Sequence, residues 1–299
     1  MGNYLEKPNT TKEIFLGDNP VLEYVAGEMQ GWRVTMEDAI VAEPTFDINT
    51  SLFAIFDGHG GPEVAKFCSE NFSATLKHNT NYMAGKYKKA LEETFLEMDR
   101  MLIGIGKDHK DYEDLKDTYA GCTAMVCLMV GSKVYLANAG DCRCLVFNRN
   151  GVIYQMNREH KPNNPEEKAR IAEAGGFIIN GRINENLNLS RAIGDLSYKD
   201  NPGLGETEQL IIAFPDVVEK DVAADDICML MGCDGVFEKL SDPSLRNLVF
   251  EQLKEGKEPY MLMAELLDRC LGNLTLGQSN GLDNMSAIVV RFRQTPEVN

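Results

Sequence analysis

Short apolar runs, bounded by turn residues, dominate the chain after its first twenty residues. Runs of β-branched and apolar residues with Gly, Asn or Asp at their ends are typical of strands. Gly131-Ser132 and the segment 148–151 lie between such runs and predict hairpin turns. The strands predicted in this way cover residues 52–56, 123–130, 133–139, 142–147, 227–232 and 286–292.

Other segments have the three-to-four-residue apolar spacing of helices. Leu91, Phe95, Met98 and Leu102 would share one helical face. A further segment begins with Asn164-Pro165 and two glutamates and ends at a Gly-Gly pair, which are typical start and stop signals. The predicted helices cover residues 62–78, 86–105, 165–174 and a pair within 242–272, split by Gly256 and Pro259.

The order of these elements predicts the fold class. Strands outnumber helices and do not alternate with them regularly, which disfavours a doubly wound parallel sheet. We therefore expect an α+β fold, a central β-sandwich of two antiparallel sheets flanked by α-helices on both outer faces. Residues 1–20 are polar and irregular and predict a loosely held N-terminal arm, and residues 21–295 predict one domain. Glycines within 160–205 indicate a flap.

Composition narrows the class of protein. The 299 residues are 43% hydrophobic and 25% charged, as in soluble globular proteins. We find neither a stretch of about 20 apolar residues, as a spanning helix needs, nor a secretory signal. None of the eight cysteines forms a C-x-x-C pair, which predicts a reduced, intracellular protein. The net charge of 30 − 46 = −16 disfavours nucleic acid as a partner.

Three acids stand at the ends of apolar strands. Asp57 and Asp234 each follow a predicted strand and precede a glycine, and Asp283 lies just before the last strand. Asp-Gly is a common turn dipeptide, so each could be a plain turn. A carboxylate at the tip of a buried strand is costly to desolvate without a partner, however. Carboxylate oxygens are the ligands that Mg²⁺ and Mn²⁺ prefer, so the three together favour a metal site.

Two further segments admit the same two interpretations. Glu37 and Asp38 could form a solvated edge, or they could hold metal while Arg33 grips a phosphate in bidentate fashion. His59 lies two residues after Asp57 in a Gly-rich strand end. It is either a structural histidine or a group placed beside the same metals.

Six motifs, in this order, resemble those of the metal-dependent (type 2C) protein phosphatases, and the similarity runs from about residue 24 to residue 292. The resemblance implies hydrolysis of phosphoserine and phosphothreonine on proteins, by direct attack of a metal-bridging hydroxide. The motifs are Gly31-Trp32-Arg33 with Met36-Glu37-Asp38, Asp57-Gly58-His59-Gly60-Gly61, Gly140-Asp141-Cys142-Arg143, Ser190-Arg191-Ala192-Ile193-Gly194-Asp195, Cys233-Asp234-Gly235 and Asp283-Asn284-Met285-Ser286.

The resemblance also implies a set of ligands for two Mg²⁺ or Mn²⁺ ions. Asp57 would bridge both ions, and the carbonyl oxygen of Gly58 would bind one of them. Asp234 and Asp283 would ligate one ion, while Glu37 would reach the other partly through water.

The remaining motif residues would bind substrate or support the centre. Arg33 would hold the substrate phosphate and His59 would act as general acid toward the leaving alkoxide. Asp141 matches an acid linked to a third, weaker metal position, and Asp38 would support the metal ligands. Where the family often has a second aspartate for that third ion, this chain has Glu238.

Alternative enzyme classes lack their signatures. A cysteine-dependent phosphatase needs an arginine six positions after its cysteine, which none of the eight cysteines has. A zinc hydrolase is disfavoured by four histidines without an H-E-x-x-H motif. A non-catalytic phosphoprotein-binding relative would be expected to lose a metal-ligating aspartate, whereas Asp57, Asp234 and Asp283 are all present.

Location and assembly are less constrained by the sequence. Met1-Gly2 resembles the start of myristoylated members, but Glu6 occupies a position where the acceptor pattern prefers Ser or Thr. We expect a cytoplasmic monomer that acts on phosphoproteins, with a nuclear location as an alternative. Membrane association would require myristoylation of Gly2.

Overall fold

A computed structural model describes residues 4–105, 120–274 and 277–293. In chain order the strands are β1 Tyr4–Asp18, β2 Leu22–Arg33, β3 Ala39–Asp47, β4 Thr50–Phe56, β5 Gly58–His59, β6 Gly121–Cys122, β7 Ala124–Val130, β8 Lys133–Ala139, β9 Arg143–Asn148, β10 Ile153–Gln155, β11 Ile178–Ile179, β12 Arg182–Ile183, β13 Ile193–Gly194, β14 Asp216–Asp221, β15 Asp226–Gly232 and β16 Met285–Phe292. The helices are α1 Glu63–His78, α2 Thr80–Met83, α3 Tyr87–Ile105, α4 Pro165–Glu173, α5 Asp234–Phe237, α6 Asp242–Lys254 and α7 Pro259–Cys270, with a 3₁₀ turn at Leu196–Tyr198.

Two large antiparallel sheets form the centre of the molecule. The six-stranded sheet has the order β1-β2-β16-β15-β9-β10, and the five-stranded sheet has the order β14-β8-β7-β4-β3. Alternate residues of β4 face opposite sides, as the two-residue period of a strand requires. Phe53 and Ile55 belong to the core that also contains β2, β15 and β16 residues, whereas Leu52, Ala54 and Phe56 pack with residues of α1 and α3.

Helices cover the outer faces of both sheets. Helices α1 and α3 lie on the five-stranded sheet, and α7 packs against β1, β2 and β16 of the six-stranded sheet. The predicted α+β sandwich with helices on both outer faces is therefore confirmed. All eight cysteines are free and buried, as expected for small apolar residues of these layers. Within the described ranges, no helix is both long and apolar enough to cross a membrane.

The N-terminal segment differs from the prediction. Residues 4–18 are not a loosely held arm but the edge strand β1, which pairs with β2 from Lys12↔Met29 to Asp18↔Glu23. Most β1 side chains are exposed or half-buried, so they give no apolar pattern from which a strand could be predicted. The backbone ladder holds the segment instead, together with an ion pair of 2.7 Å from Lys12 to Asp268 on α7.

The segment predicted as a flap has a small apolar core of its own. Ile171 of α4 packs there with Ile183, Ala192, Tyr198 and Ile211. A three-stranded sheet of order β13-β6-β5 ties the end of this segment to the loop that follows β4. The mobility of the flap stays a prediction.

Candidate metal centre

Three carboxylates converge at one end of the sandwich. Asp57 follows β4, Asp141 follows β8, and Asp234 follows β15, so both large sheets contribute. One oxygen of each lies within 4.8 Å of those of the other two. The ends of neighbouring strands thus bring together acids that are up to 177 residues apart in the chain (234 − 57).

The electrostatics of this cluster favour a bound cation. Burial raises the pKa of Asp57 well above its usual range, and the charges of Asp38, Asp234 and Asp141 raise it further. Burial likewise raises the pKa of Asp234, with repulsion from Asp141 and Asp283 as the next causes. A divalent cation would reverse both effects, because it stabilises the ionised form. The donors are all oxygen, so this donor set fits Mg²⁺ or Mn²⁺.

Asp38 lies beneath the cluster, buried and hydrogen-bonded. Its carboxylate accepts a hydrogen bond of 2.6 Å from the Ser286 hydroxyl, and it lies close enough to Asp57 and Cys233 for their side chains to influence its pKa. Burial is the main cause that raises the pKa of Asp38 to about 7. Asp38 therefore contacts the cluster from the protein side, where a supporting residue would lie.

Two glycines allow the loops of the centre to approach one another. A Cβ atom on Gly58 would lie 2.2 Å from the carbonyl oxygen of Glu37. One on Gly235 would lie 2.0 Å from the carbonyl oxygen of Asn284. Neither distance is possible between real atoms, so any larger residue would push these loops apart.

Asn284 joins the loop after β2 to the loop before β16. Its side-chain amide donates to the carbonyl oxygens of Gln30 and Thr35 at 2.9 and 3.0 Å, and its oxygen accepts from the Glu37 N–H at 3.0 Å. The neighbouring Asp283 is thereby fixed close to the cluster. In the sequence, Asn284 stood out only as part of a motif. Its three bonds join segments some 250 residues apart, so no local pattern could reveal them.

Glu37, Asp283 and Arg33 lie at the rim of the cluster. The Glu37 carboxylate accepts from the Thr35 hydroxyl at 2.7 Å, outside the group of three converging acids. Arg33 donates from Nη2 to Asp283 Oδ2 at 2.5 Å. Its Nε has no hydrogen-bond partner among the described residues. The guanidinium therefore lies beside the carboxylates with its Nε–H still available as a hydrogen-bond donor.

Asp141 and Glu238 differ in their surroundings. Asp141 is buried, with only 3% of its side chain exposed, and it forms an ion pair with the ammonium of Lys161. Glu238 is exposed, but partial desolvation of its carboxylate, together with repulsion from Asp283, raises its pKa. Lys161 lies at the start of the flap, and no sequence motif assigned it a role.

His59 contacts a residue that sequence reasoning did not assign. Its Nε2 lies 2.8 Å from Oδ2 of Asp195, whose side chain is fully buried. Although burial lowers the pKa of His59, the adjacent Asp195 carboxylate more than offsets this, and the net shift is upward. The only available signal was the position of Asp195 at the end of a motif.

A buried oxygen-ligand centre with an arginine and a histidine at its rim is suited to metal-assisted hydrolysis of a phosphoester. The family described as "Protein phosphatase 2C" matches residues 22–276. The chain belongs to this family, and it is a serine/threonine protein phosphatase, as the motifs implied.

Individual relatives agree with this assignment. The chain is 44% identical over 298 residues to "Probable protein phosphatase 2C 6" of Paramecium tetraurelia. The alignment covers 98% of this chain and 100% of the relative. It is 35% identical over 333 residues to "Probable protein phosphatase 2C 21" of Arabidopsis thaliana, with 98% and 93% covered. A crystal structure of a phosphatase from Toxoplasma gondii shares the fold, with a TM-score of 0.79, 24% identity, and 97% and 98% of the two chains covered.

Proposed function

We propose that the chain hydrolyses phosphoserine and phosphothreonine on other proteins with two Mg²⁺ or Mn²⁺ ions. The observation that carries this proposal is the convergence of Asp57, Asp141 and Asp234 within 4.8 Å. Asp57, Asp234, Asp283, Glu37 and the Gly58 carbonyl would hold the two ions, with Asp38 as support. When bound, the ions would supply Lewis acidity and would lower the pKa of water enough to provide a hydroxide nucleophile at neutral pH.

Arg33 would bind the substrate phosphate. A guanidinium offers a planar pair of donors that matches two phosphoryl oxygens, and Arg33 has an unused Nε donor beside the centre. Its present bond to Asp283 holds the group in place until the phosphate arrives. Negative charge that builds up on the phosphoryl oxygens in the transition state would be stabilised there.

His59 would protonate the leaving serine or threonine oxygen. The P–O ester bond breaks as the new bond to the attacking oxygen forms, and the proton from His59 converts the departing alkoxide into a hydroxyl group. An alkoxide is a poor leaving group, so this transfer is worth on the order of 10²–10⁴ in rate. The pKa of His59 is raised by Asp195, which favours the protonated ring that this step requires.

A third, weaker cation site is proposed at Asp141 and Glu238. Glu238 is exposed and Asp141 already pairs with Lys161. A cation there would have fewer protein ligands and a competing ammonium group, and so we expect weaker binding than at the first two positions.

The decisive experiment is phosphate release from phosphoserine and phosphothreonine peptides in EDTA and in Mn²⁺ or Mg²⁺. We expect no turnover in EDTA and full recovery on metal addition, while Asp57→Asn stays inactive in both. Full activity in the chelator would overturn the two-metal proposal. A wild-type rate for Asp57→Asn would show that the centre lies elsewhere.

A further inference from the structure

The small sheet β13-β6-β5 brings two distant polar residues together. His59 of β5 pairs with Gly121 of β6, and Gly121 pairs with Gly194 of β13. Asp195 directly follows β13, and its N–H donates to the carbonyl oxygen of Ala120 at 2.9 Å. Strand pairing across three short segments therefore places the Asp195 side chain beside His59, although 136 residues separate them in the sequence.

Room for this contact depends on a glycine. A Cβ atom on Gly121 would lie 2.5 Å from Oδ2 of Asp195 and 2.8 Å from Nε2 of His59. These are the two atoms of the hydrogen bond between the residues. The bond thus runs directly over the bare Cα of Gly121, where no side chain can stand.

Asp195 combines a left-handed backbone with a buried carboxylate. Its φ of 51° is left-handed, which is uncommon outside glycine, and its side chain is fully buried. Oδ1 has no hydrogen-bond partner among the described residues, so the carboxylate is only partly satisfied by the protein. Backbone strain and incomplete hydrogen bonding of this kind concentrate at functional positions.

We propose that Asp195 is a positioning residue for catalysis that fixes the ring of His59. A carboxylate oxygen accepts the hydrogen of Nε2, which sets the ring plane and leaves Nδ1 as the nitrogen that serves the substrate oxygen. A third group that orients a proton-transferring histidine recurs in unrelated hydrolytic sites. This inference rests on the proposed general-acid role of His59.

The test compares two substrates with different leaving groups. A phosphopeptide leaves as an alkoxide and needs the proton, whereas p-nitrophenyl phosphate leaves as a stable phenolate and does not. Asp195→Asn keeps the shape of the side chain, and asparagine also tolerates a left-handed backbone. We expect it to lower kcat on the phosphopeptide about 10- to 100-fold, and on the aryl phosphate less than about threefold. Mn²⁺ affinity, measured by calorimetry, should stay unchanged.

Double substitution separates this inference from the general-acid role itself. If Asp195 acts through His59, adding Asp195→Asn to His59→Gln should cause little further loss on the phosphopeptide. Fully additive losses, or equal losses on both substrates for Asp195→Asn, would overturn the inference and leave the role of His59 intact. Equal losses on both substrates for His59→Gln would overturn the general-acid role, and the inference with it.

A matched control contacts the same small sheet from helix α3. Asp99 is a second buried carboxylate that accepts from the Gly194 N–H at 2.8 Å and pairs with Lys199 at 2.5 Å. Asp99→Asn should affect both substrates by the same factor. If Asp195→Asn fails to fold, Asp195→Ser removes the same hydrogen bond with a smaller side chain and should reproduce the selective loss on the phosphopeptide. Equal losses on both substrates for that variant would contradict the inference.

Discussion

The convergence of acids predicts that Asp57→Asn stabilises the metal-free protein while it abolishes stabilisation by metal. Two unit charges within 4.8 Å of each other repel by about 3 kcal/mol or more at an effective dielectric constant near 20. Protonation limits the repulsion in the metal-free state, because burial and the neighbouring charges raise the pKa of Asp57. We therefore expect the metal-free variant to be more stable than the metal-free wild type by about 2 kcal/mol at pH 7.

Bound metal should reverse this order of stability and make the wild type more stable than Asp57→Asn. Each ion at one hundred times its dissociation constant contributes about 2.7 kcal/mol to the native state. At roughly 2–4 °C per kcal/mol for a chain of this size, two ions would raise the Tm of the wild type by about 10–20 °C. Asp57→Asn removes the charge that we propose bridges both ions, so most of that rise should disappear.

The assay is thermal unfolding in EDTA and in a series of Mn²⁺ concentrations. The pH dependence gives an independent check, since the pKa of Asp38 is about 7 in the folded protein and that of Asp57 is also raised. Such carboxyls bind more protons folded than unfolded, so metal-free stability should fall as pH rises from about 4 to 7. A metal-free variant less stable than the wild type, or an equal Tm rise in Mn²⁺, would refute the reasoning.

Two further substitutions test the close packing at Gly58 and the buried ion pairs of Glu167. Gly58→Ala would place a methyl group 2.2 Å from a carbonyl oxygen, and urea unfolding should show a loss of about 1–3 kcal/mol with severe loss of phosphate release. Its control, Gly104→Ala, meets no described atom within 4 Å and should stabilise by about 0.5–1 kcal/mol. Glu167 forms ion pairs with Arg170 and Arg191. Burial raises the pKa of Glu167, but the hydrogen bonds and charges of the two arginines outweigh this effect and lower the pKa to about 2. Glu167→Gln should cost about 3–5 kcal/mol at pH 7, and this difference from wild type should shrink between pH 4.5 and 2, where the wild type loses the same charge.

The sequence predicted the sandwich well where each strand has its own apolar signal. Every residue of β4 is buried, and its run of apolar residues was sufficient to predict a strand. The same reasoning failed for β1, whose stability comes from backbone pairing with β2 and from contacts with α7. A polar edge strand of that kind carries no side-chain periodicity.

The candidate site likewise contains residues that local sequence patterns reveal and residues that they do not. Asp57 and Asp234 could be proposed from their places at strand ends, and both lie in the cluster. Asp141 was reached only through the family resemblance, because its place depends on β8 and β7 following β4 in the same sheet. The contact of His59 with Asp195 depends on three two-residue strands, which no local pattern predicts.

The position of β16 has a consequence for biosynthesis. This strand, the last one described, lies between β2 and β15 in the middle of the six-stranded sheet, and Asp283 immediately precedes it. A ribosome-bound chain that lacks residues 283–292 would have a gap in the centre of the sheet and an incomplete set of acids. Pairing of β16 with β2 joins residues about 260 positions apart, a separation that slows folding. The growing polypeptide would thus complete both the central sheet and the set of acids only after this strand has left the exit tunnel.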